Sequence, residues 1–264
     1  MNDSLALAKL YPYPRPYRSY LFADGHALEL GSYASDPFET GVVIQGDRVT
    51  AAKQALGNLG IKSFCPLLER TAVLAYGSNG APSQLARKFS DLPGTVIPVL
   101  SAELANYDVV YSAHFTHYGS LPATIAISPG TTLKTLVAYL TPRQLSVLHR
   151  TEVGPSKTNS GHYTYRYLNA AVTMSNGERL DGIPAYTSRH GACGLKGLPI
   201  ALNEIVAINR QFSACDQVKM LEQAQILLEP RQKLDSFLLN LINEPAIRSK
   251  YNDRLRSSAL NVMV

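Results

Sequence analysis

Thr71-Ala72-Val73-Leu74-Ala75-Tyr76-Gly77-Ser78-Asn79-Gly80 is the stretch that decides the fold. Its first six residues form a short apolar run with the length of a buried strand. The run stops at four turn-forming residues, Gly77 to Gly80. Pro82 and Ser83 then open a helical pattern through Leu85, Ala86 and Phe89. Proline suits a first helical turn, where its missing N–H is not needed. Strand, small polar loop and helix in this order predict a mixed α/β (α+β) domain. They also suggest an anion cradle. N–H groups at a helix start lack intrahelical partners and carry partial positive charge. Gly77 lets backbone approach a ligand closely, and Ser78 and Asn79 add side-chain hydrogen bonds. An ordinary strand-to-helix turn has the same composition.

Further strands are expected downstream at Asp108–Tyr111, Ala123–Ile127 and Thr132–Leu140, the last two separated by a turn at Ser128-Pro129-Gly130. Thr141-Pro142-Arg143-Gln144 reads as a capping box with proline at the first helical position. Its helix places Leu145 and Leu148 on one face and ends on Glu152. After a Gly/Pro/Ser-rich loop, Tyr163–Leu168 alternates as a strand, which puts Tyr163, Tyr165 and Tyr167 on one side. Gly182–Tyr186 suggests one more strand. Upstream, YPYPRPY at 11–17 favours irregular or polyproline structure. Gly41–Ile44 reads as a strand and Val49–Leu59 as a helix closed by Gly60. Towards the C-terminus, Leu202, Ile205, Val206 and Asn209 fit one helix. Leu234, Phe237, Leu238, Leu241 and Ile242 fit another, opened by Pro230 and followed by Pro245. These readings divide the chain into an N-terminal extension (1–70), a core (71–190) and a helical C-terminal extension (191–264). The helical stripes face the core, or alternatively form a homodimer surface.

The chain has 264 residues, 45% hydrophobic and 17% charged, enough for one large domain or a compact domain with extensions. No stretch approaches the roughly 20 apolar residues of a membrane span, and the N-terminus lacks a secretory pattern. A soluble, cytoplasmic protein is expected. Three widely spaced cysteines, Cys65, Cys193 and Cys215, argue against a disulfide framework or a zinc site. The net charge is +5, but Lys and Arg are scattered. The densest cluster, Arg248, Lys250, Arg254 and Arg256, reads as a solvated helix face and not a nucleic-acid surface. His114 and His117 lie on strand and loop with no third ligand at a convincing spacing, so no metal or other cofactor is expected.

Four segments, taken together, resemble the γ-glutamylcyclotransferase-like family over residues 73–187. Val73–Asn79 looks like that family's apolar strand ending in Tyr-Gly-Ser-Asn. Pro122-Ala123-Thr124-Ile125 with Pro129-Gly130 is similar to its Ala-Thr-Ile strand and Pro-Gly turn. The stretch Leu136–Gly154 resembles the part ending in the catalytic Glu-Gly, and Tyr163–Arg166 the tyrosine-and-basic strand that follows. The segments occur in the family's order. Two positions depart from it: Gly80 stands where Leu or Met is usual, and Val153 separates Glu152 from Gly154.

The resemblance implies a small barrel-like mixed sheet with flanking helices, and a cofactor-free reaction of the lyase or acyltransferase class. In it, the α-amine of a γ-glutamyl compound attacks its own γ-amide carbonyl, giving 5-oxoproline and an amine. No protein nucleophile is needed, and holding a near-attack geometry can contribute up to about 7–11 kcal/mol. One carboxyl group can move both protons in sequence if its pKa lies near the operating pH. The resemblance gives this role to Glu152. It gives substrate binding to Tyr76, Gly77, Ser78 and Asn79: Tyr76 would shape the pocket, and the backbone amides of Gly77, Ser78 and Asn79 would hold the substrate carboxylate or the developing oxyanion. Tyr163, Tyr165 and Tyr186 are further candidates for substrate contact. An amide hydrolase or acyl transferase in the same pocket, or a binding module without catalysis, fits the same residues. The Gly-x-Ser-x-Gly elbow of a serine hydrolase is absent.

Overall fold

A computed structural model describes residues 3–155 and 161–262. The helices are α1 (Asp3–Lys9), α2 (Ala52–Asn58), α3 (Pro82–Lys88), α4 (Pro142–Glu152), α5 (Gln217–Leu228), α6 (Leu234–Asn243) and α7 (Pro245–Ser257). The longer strands are β1 (Tyr20–Ala23), β2 (His26–Leu30), β3 (Val42–Gln45), β4 (Arg48–Ala51), β5 (Thr71–Leu74), β6 (Val96–Tyr111), β7 (Ala123–Leu140), β8 (Tyr163–Met174) and β9 (Arg179–Ser188). Five two-residue strands follow: β10 (Gly194–Leu195), β11 (Leu198–Pro199), β12 (Ala201–Leu202), β13 (Ala207–Ile208) and β14 (Ala214–Cys215). Backbone contacts divide the chain into two units. The first holds residues 14–105 and 134–186, the second the chain up to Tyr13 with 106–133 and 187–264.

In the first unit the sheet is a barrel-like antiparallel arrangement with open ends. The strands β1 to β4 pair in sequence, and β1 lies on β6 with Tyr20 opposite Val99. Farther along β6, Ala102 faces Met174 of β8. The strand β7 neighbours β6 and takes β5 in antiparallel register, Thr71 opposite Leu140 and Leu74 opposite Val137. The mixed α+β class expected from the sequence is therefore what the chain adopts. The core is built from Tyr20, Phe22, Val73, Ala75, Ile97, Val99, Leu136 and Ala138, with Leu85 and Phe89 from the α3 segment and Leu148 from α4. A buried Leu or Phe contributes roughly 1.5–3 kcal/mol, so each of these helices is fixed by its apolar face.

The second unit packs α1, α5, α6 and α7 together, with Phe237 edge-on to Phe115 and stacked on Tyr251. The helix expected around Leu234 is present as α6, but it starts after Pro230, with Lys233 as its N-cap. Pro245 does not merely follow α6; it is the first residue of α7, the position where proline costs no hydrogen bond. The YPYPRPY segment contains no helix or strand. The helix α1 before it was not anticipated.

Three expectations are corrected. The helix expected at Leu202–Asn209 is absent: Leu202 lies on the short strand β12, Ile205 and Val206 lie on the irregular link that follows, and the chain re-enters the sheet at β13. Ala201 pairs with Val110, and Ala207 and Ile208 pair with Leu133 and Thr132. A short apolar run carries no period of its own, and pairing partners decide its state. The turn expected at Ser128-Pro129-Gly130 is a local distortion inside the continuous strand β7. Gly130 takes a φ of 83° and donates its N–H to Asn106 Oδ1 at 2.9 Å, while the Ser128 and Thr131 hydroxyls bond at 2.7 Å. Turn formers here are absorbed as a strand irregularity. Finally, the helix expected from Val49 begins at Ala52, because Val49 and Thr50 belong to β4; β-branched residues favour a pleated strand.

Part of the Gly/Pro/Ser-rich loop expected after Glu152 falls on 156–160, outside the described residues. No described helix is long and apolar enough to cross a membrane.

Candidate active site

The loop after β5 is held from behind through its carbonyls. Ala75 extends the strand by donating its N–H to the Leu136 carbonyl at 2.8 Å. Arg15, between two prolines in the irregular N-terminal segment, donates Nη1 to the carbonyls of Tyr76 at 2.7 Å, Gly77 at 3.2 Å and Ala75 at 3.3 Å. The buried Tyr20 hydroxyl donates to the Gly80 carbonyl at 2.9 Å. Ser78–Gly80 form one 3-10 turn ahead of α3, so the polar loop precedes the helix start and is not its first turn. Among the described residues, no hydrogen bond is made to the backbone amides of Gly77, Ser78 or Asn79. The carbonyls are tied back and these amides are left for another acceptor.

Gly80 has a packing reason. A Cβ there would stand 2.9 Å from the Ala75 carbonyl oxygen and 2.9 Å from Leu136 Cδ1. A Leu or Met side chain has no room at this position.

Glu152 is delivered by α4, whose start is fixed by its cap and by a buried arginine. Thr141 and Gln144 make the expected capping box, with the Gln144 N–H on Thr141 Oγ1 at 3.3 Å and the Thr141 N–H on Gln144 Oε1 at 2.9 Å. Arg70 donates Nη1 to the Val96 carbonyl at 2.8 Å and to Gln144 Oε1 at 3.3 Å. Leu145, Leu148 and Glu152 are spaced for one helix face. Burial of that face turns Glu152 inward, and Gly154, at a φ of 89°, lets the chain leave the helix end.

The inward-facing carboxylate meets two side chains. Asn79 Nδ2 donates to Glu152 Oε1 at 3.2 Å. Lys88, in the last turn of α3, forms an ion pair with the same oxygen and also donates to Asn79 Oδ1 at 2.6 Å. The three side chains close a ring, and the two partners of Asn79 fix which way its amide points. The Lys88 and Glu152 side chains are only 5% and 12% exposed.

An aromatic cluster adjoins the carboxylate. The Tyr186 hydroxyl and His149 Nδ1 are hydrogen-bonded at 2.9 Å. The Tyr165 ring lies edge-on to His149 at 4.6 Å and 5.3 Å from the Tyr186 ring. Burial pushes the Tyr186 phenol far up, with the Glu152 charge and then Tyr165 adding to it. Burial also pushes Tyr165 up to about 12, with Tyr167 adding, and pushes His149 down. This leaves two neutral phenols and a neutral imidazole beside Glu152 at neutral pH. The Tyr76 hydroxyl donates to the Tyr186 backbone carbonyl, which links the loop to β9. Tyr163 packs against the core as a half-buried side chain.

The structure thus brings Asn79 and Glu152 together, with Tyr186 and Tyr165 close to them. His149, Lys88, Arg15 and Arg70 were not singled out from the sequence. His149 could have been: three residues before Glu152, it shares the same helix face. Lys88 carried a similar signal, three residues after the core-facing Leu85. In the second unit His114 lies against His190, with ring centroids 4.6 Å apart, and its Nδ1 bonds Ser112 Oγ at 2.7 Å.

No protein-family model matches the chain, and no curated protein matches it. Solved structures show a likeness. One described as "Gamma-glutamyl cyclotransferase" is 14% identical, with a TM-score of 0.36, covering 74% of this chain and 91% of its own. An uncharacterised human protein is also 14% identical, with a TM-score of 0.35 and the same coverage, 74% and 91%. A protein from Arabidopsis thaliana, solved in solution, is 17% identical with a TM-score of 0.34, covering 62% of this chain and 95% of its own.

Proposed function

We propose that this chain is an enzyme that cyclises a γ-glutamyl amide or a related compound, releasing 5-oxoproline and an amine. The observation that carries the reading is the placement of Glu152, inward-facing and hydrogen-bonded to Asn79 of the Tyr76–Asn79 loop. The sequence resemblance gives these positions their roles.

Glu152 takes a proton from the substrate's α-ammonium, so an N–H bond breaks and a carboxyl O–H forms. The freed amine attacks the γ-carbonyl carbon, a C–N bond forms, and the carbonyl becomes an oxyanion. The unbonded amides of Gly77, Ser78 and Asn79 are donors suited to that oxyanion or to the substrate carboxylate. Collapse breaks the original amide C–N bond; the leaving amine takes the proton back from Glu152, and the ring nitrogen, cationic since the attack, releases its second proton to solvent, so the lactam keeps one N–H. One carboxyl group therefore returns to its starting state each turn. Tyr165 and Tyr186, neutral and polar-tipped, supply a wall for the glutamyl moiety, with Tyr163 beside them.

The test is a panel of γ-glutamyl peptides and amines incubated with the protein and analysed by mass spectrometry. Release of 5-oxoproline from at least one is expected. Release of glutamate alone would assign hydrolysis to the site, and no turnover across the panel would remove the enzymatic reading.

A further inference from the structure

We propose that Lys88 is a positioning residue: by holding Glu152 through Oε1, it presents the other carboxylate oxygen, Oε2, to the reacting atoms. The inference rests on the function proposed above and assigns that site a further member.

Three observations lead to it. First, Lys88 is 5% exposed, and lysine is almost never buried unless paired. A buried ion pair is weak evidence for stability, because desolvating two charges offsets their attraction. Burial here therefore calls for a reason beyond stability. Second, the bonds to Glu152 converge on one atom. Lys88 Nζ and Asn79 Nδ2 both reach Oε1, and among the described residues none reaches Oε2. A pair built only as a brace would engage both oxygens. Third, the ring is closed. Lys88 also bonds Asn79 Oδ1 at 2.6 Å, so the residue that aims the carboxylate is tied to the loop that carries the unbonded amides. A shift of Glu152 relative to that loop would strain two contacts at once.

The chemistry needs such a hold. A general base must lie within hydrogen-bond reach of the proton it abstracts. A carboxylate in the last turn of a helix, two residues before the glycine at which the chain leaves it, has rotamers that point elsewhere. Lys88 acts by contact and takes no part in the proton transfer. When Oε2 is protonated, the ammonium remains on Oε1, and the carboxyl group cannot rotate away before it returns the proton to the leaving amine.

The test uses the full chain with Lys88→Met, Lys88→Gln and Lys88→Arg. Two readouts are taken on variants shown to be folded by circular dichroism. The first is steady-state kinetics on a γ-glutamyl amide that the wild type turns over. Lys88→Met and Lys88→Gln are expected to lower kcat about 10- to 100-fold, with KM changed less than about twofold. Lys88→Arg is expected to recover most of kcat, because a guanidinium can still hold Oε1. Wild-type kcat in Lys88→Met, or equal losses in all three variants, would overturn the proposal. The second readout needs no turnover: labelling of Glu152 by a water-soluble carbodiimide and glycine ethyl ester, followed by peptide mass spectrometry. Lys88→Met and Lys88→Gln should label Glu152 several-fold faster than wild type, and Lys88→Arg at about the wild-type rate. Unchanged labelling in Lys88→Met would overturn the proposal. Failure of the wild type on every γ-glutamyl amide would sink the proposed reaction, while labelling would still decide whether Lys88 holds Glu152.

Discussion

Two buried ion pairs, one in each unit, differ in how the carboxylate is held. In the second unit Asp108 is fully buried against Arg210, with side-chain exposures of 0% and 14%. Arg210 Nε donates to Oδ2 at 2.9 Å and Nη2 to Oδ1 at 3.1 Å, and the Val109 N–H also donates to Oδ1 at 2.8 Å. Nη2 further bonds the Ile205 carbonyl at 2.6 Å. Both carboxylate oxygens are engaged, and the planar fork fits them side by side. Glu152 in the first unit is nearly as buried, but a lysine and an amide hold Oε1, and among the described residues none bonds Oε2. Saturation locks a carboxylate in place, whereas holding one oxygen orients it and keeps it available.

The contrast is exposed to test at several points. Glu152→Gln should lower kcat per folded molecule for 5-oxoproline release by about a hundred- to ten-thousand-fold, and should also lower the melting temperature, because Lys88 loses its buried counter-charge; retained turnover would remove Glu152 from the chemistry. Asp108→Ala should act on stability alone. It leaves Arg210 without its buried partner and should cost about 3–5 kcal/mol in urea unfolding, while kcat per folded molecule stays at the wild-type value. A loss of kcat without a loss of stability would erase the distinction between the pairs. Gly80→Ala should destabilise by about 1–3 kcal/mol, since the new methyl meets the Ala75 carbonyl oxygen at 2.9 Å.

The smallest expected effect is on pH dependence. Burial lowers the His149 pKa in the folded chain, so the unfolded chain binds the proton more readily. Its contribution to stability is then present above the ordinary histidine value, about 6.5, and is lost as pH falls through the lower folded value. His149→Gln should flatten that part of a melting-temperature profile between about pH 7 and pH 5. An identical slope in both proteins would show that His149 does not titrate differently on folding.

Much of this site is legible in the chain because it rests on local signals. Thr141-Pro142-Arg143-Gln144 announces the start of α4, and the spacing of Leu145, Leu148 and Glu152 states which way the last residue faces. The strand, loop and helix from Thr71 to Lys88 follow from an apolar run, four turn formers and a well-placed proline. What was not legible depends on partners distant in sequence. Nothing around Lys88 names Glu152, and nothing around Arg15 names the carbonyls of Ala75 to Gly77. Leu202–Asn209 reads as a helix because four residues can match a helical spacing by chance; the short strands at either end of the stretch are set by Val110, Thr132 and Leu133, and Ile205 and Val206 lie on the link between them. Gly130 reads as a turn because a left-handed residue inside a long strand has the same composition as a chain reversal.

In the proposed reaction an amine within the substrate, and not water, displaces the leaving amine. Turnover of a γ-glutamyl amide in water enriched in oxygen-18 tests it most directly. The account predicts 5-oxoproline without the heavy isotope, lost on Glu152→Gln. Glutamate carrying one oxygen-18 in its γ-carboxyl group would show that water is the nucleophile and would contradict the account.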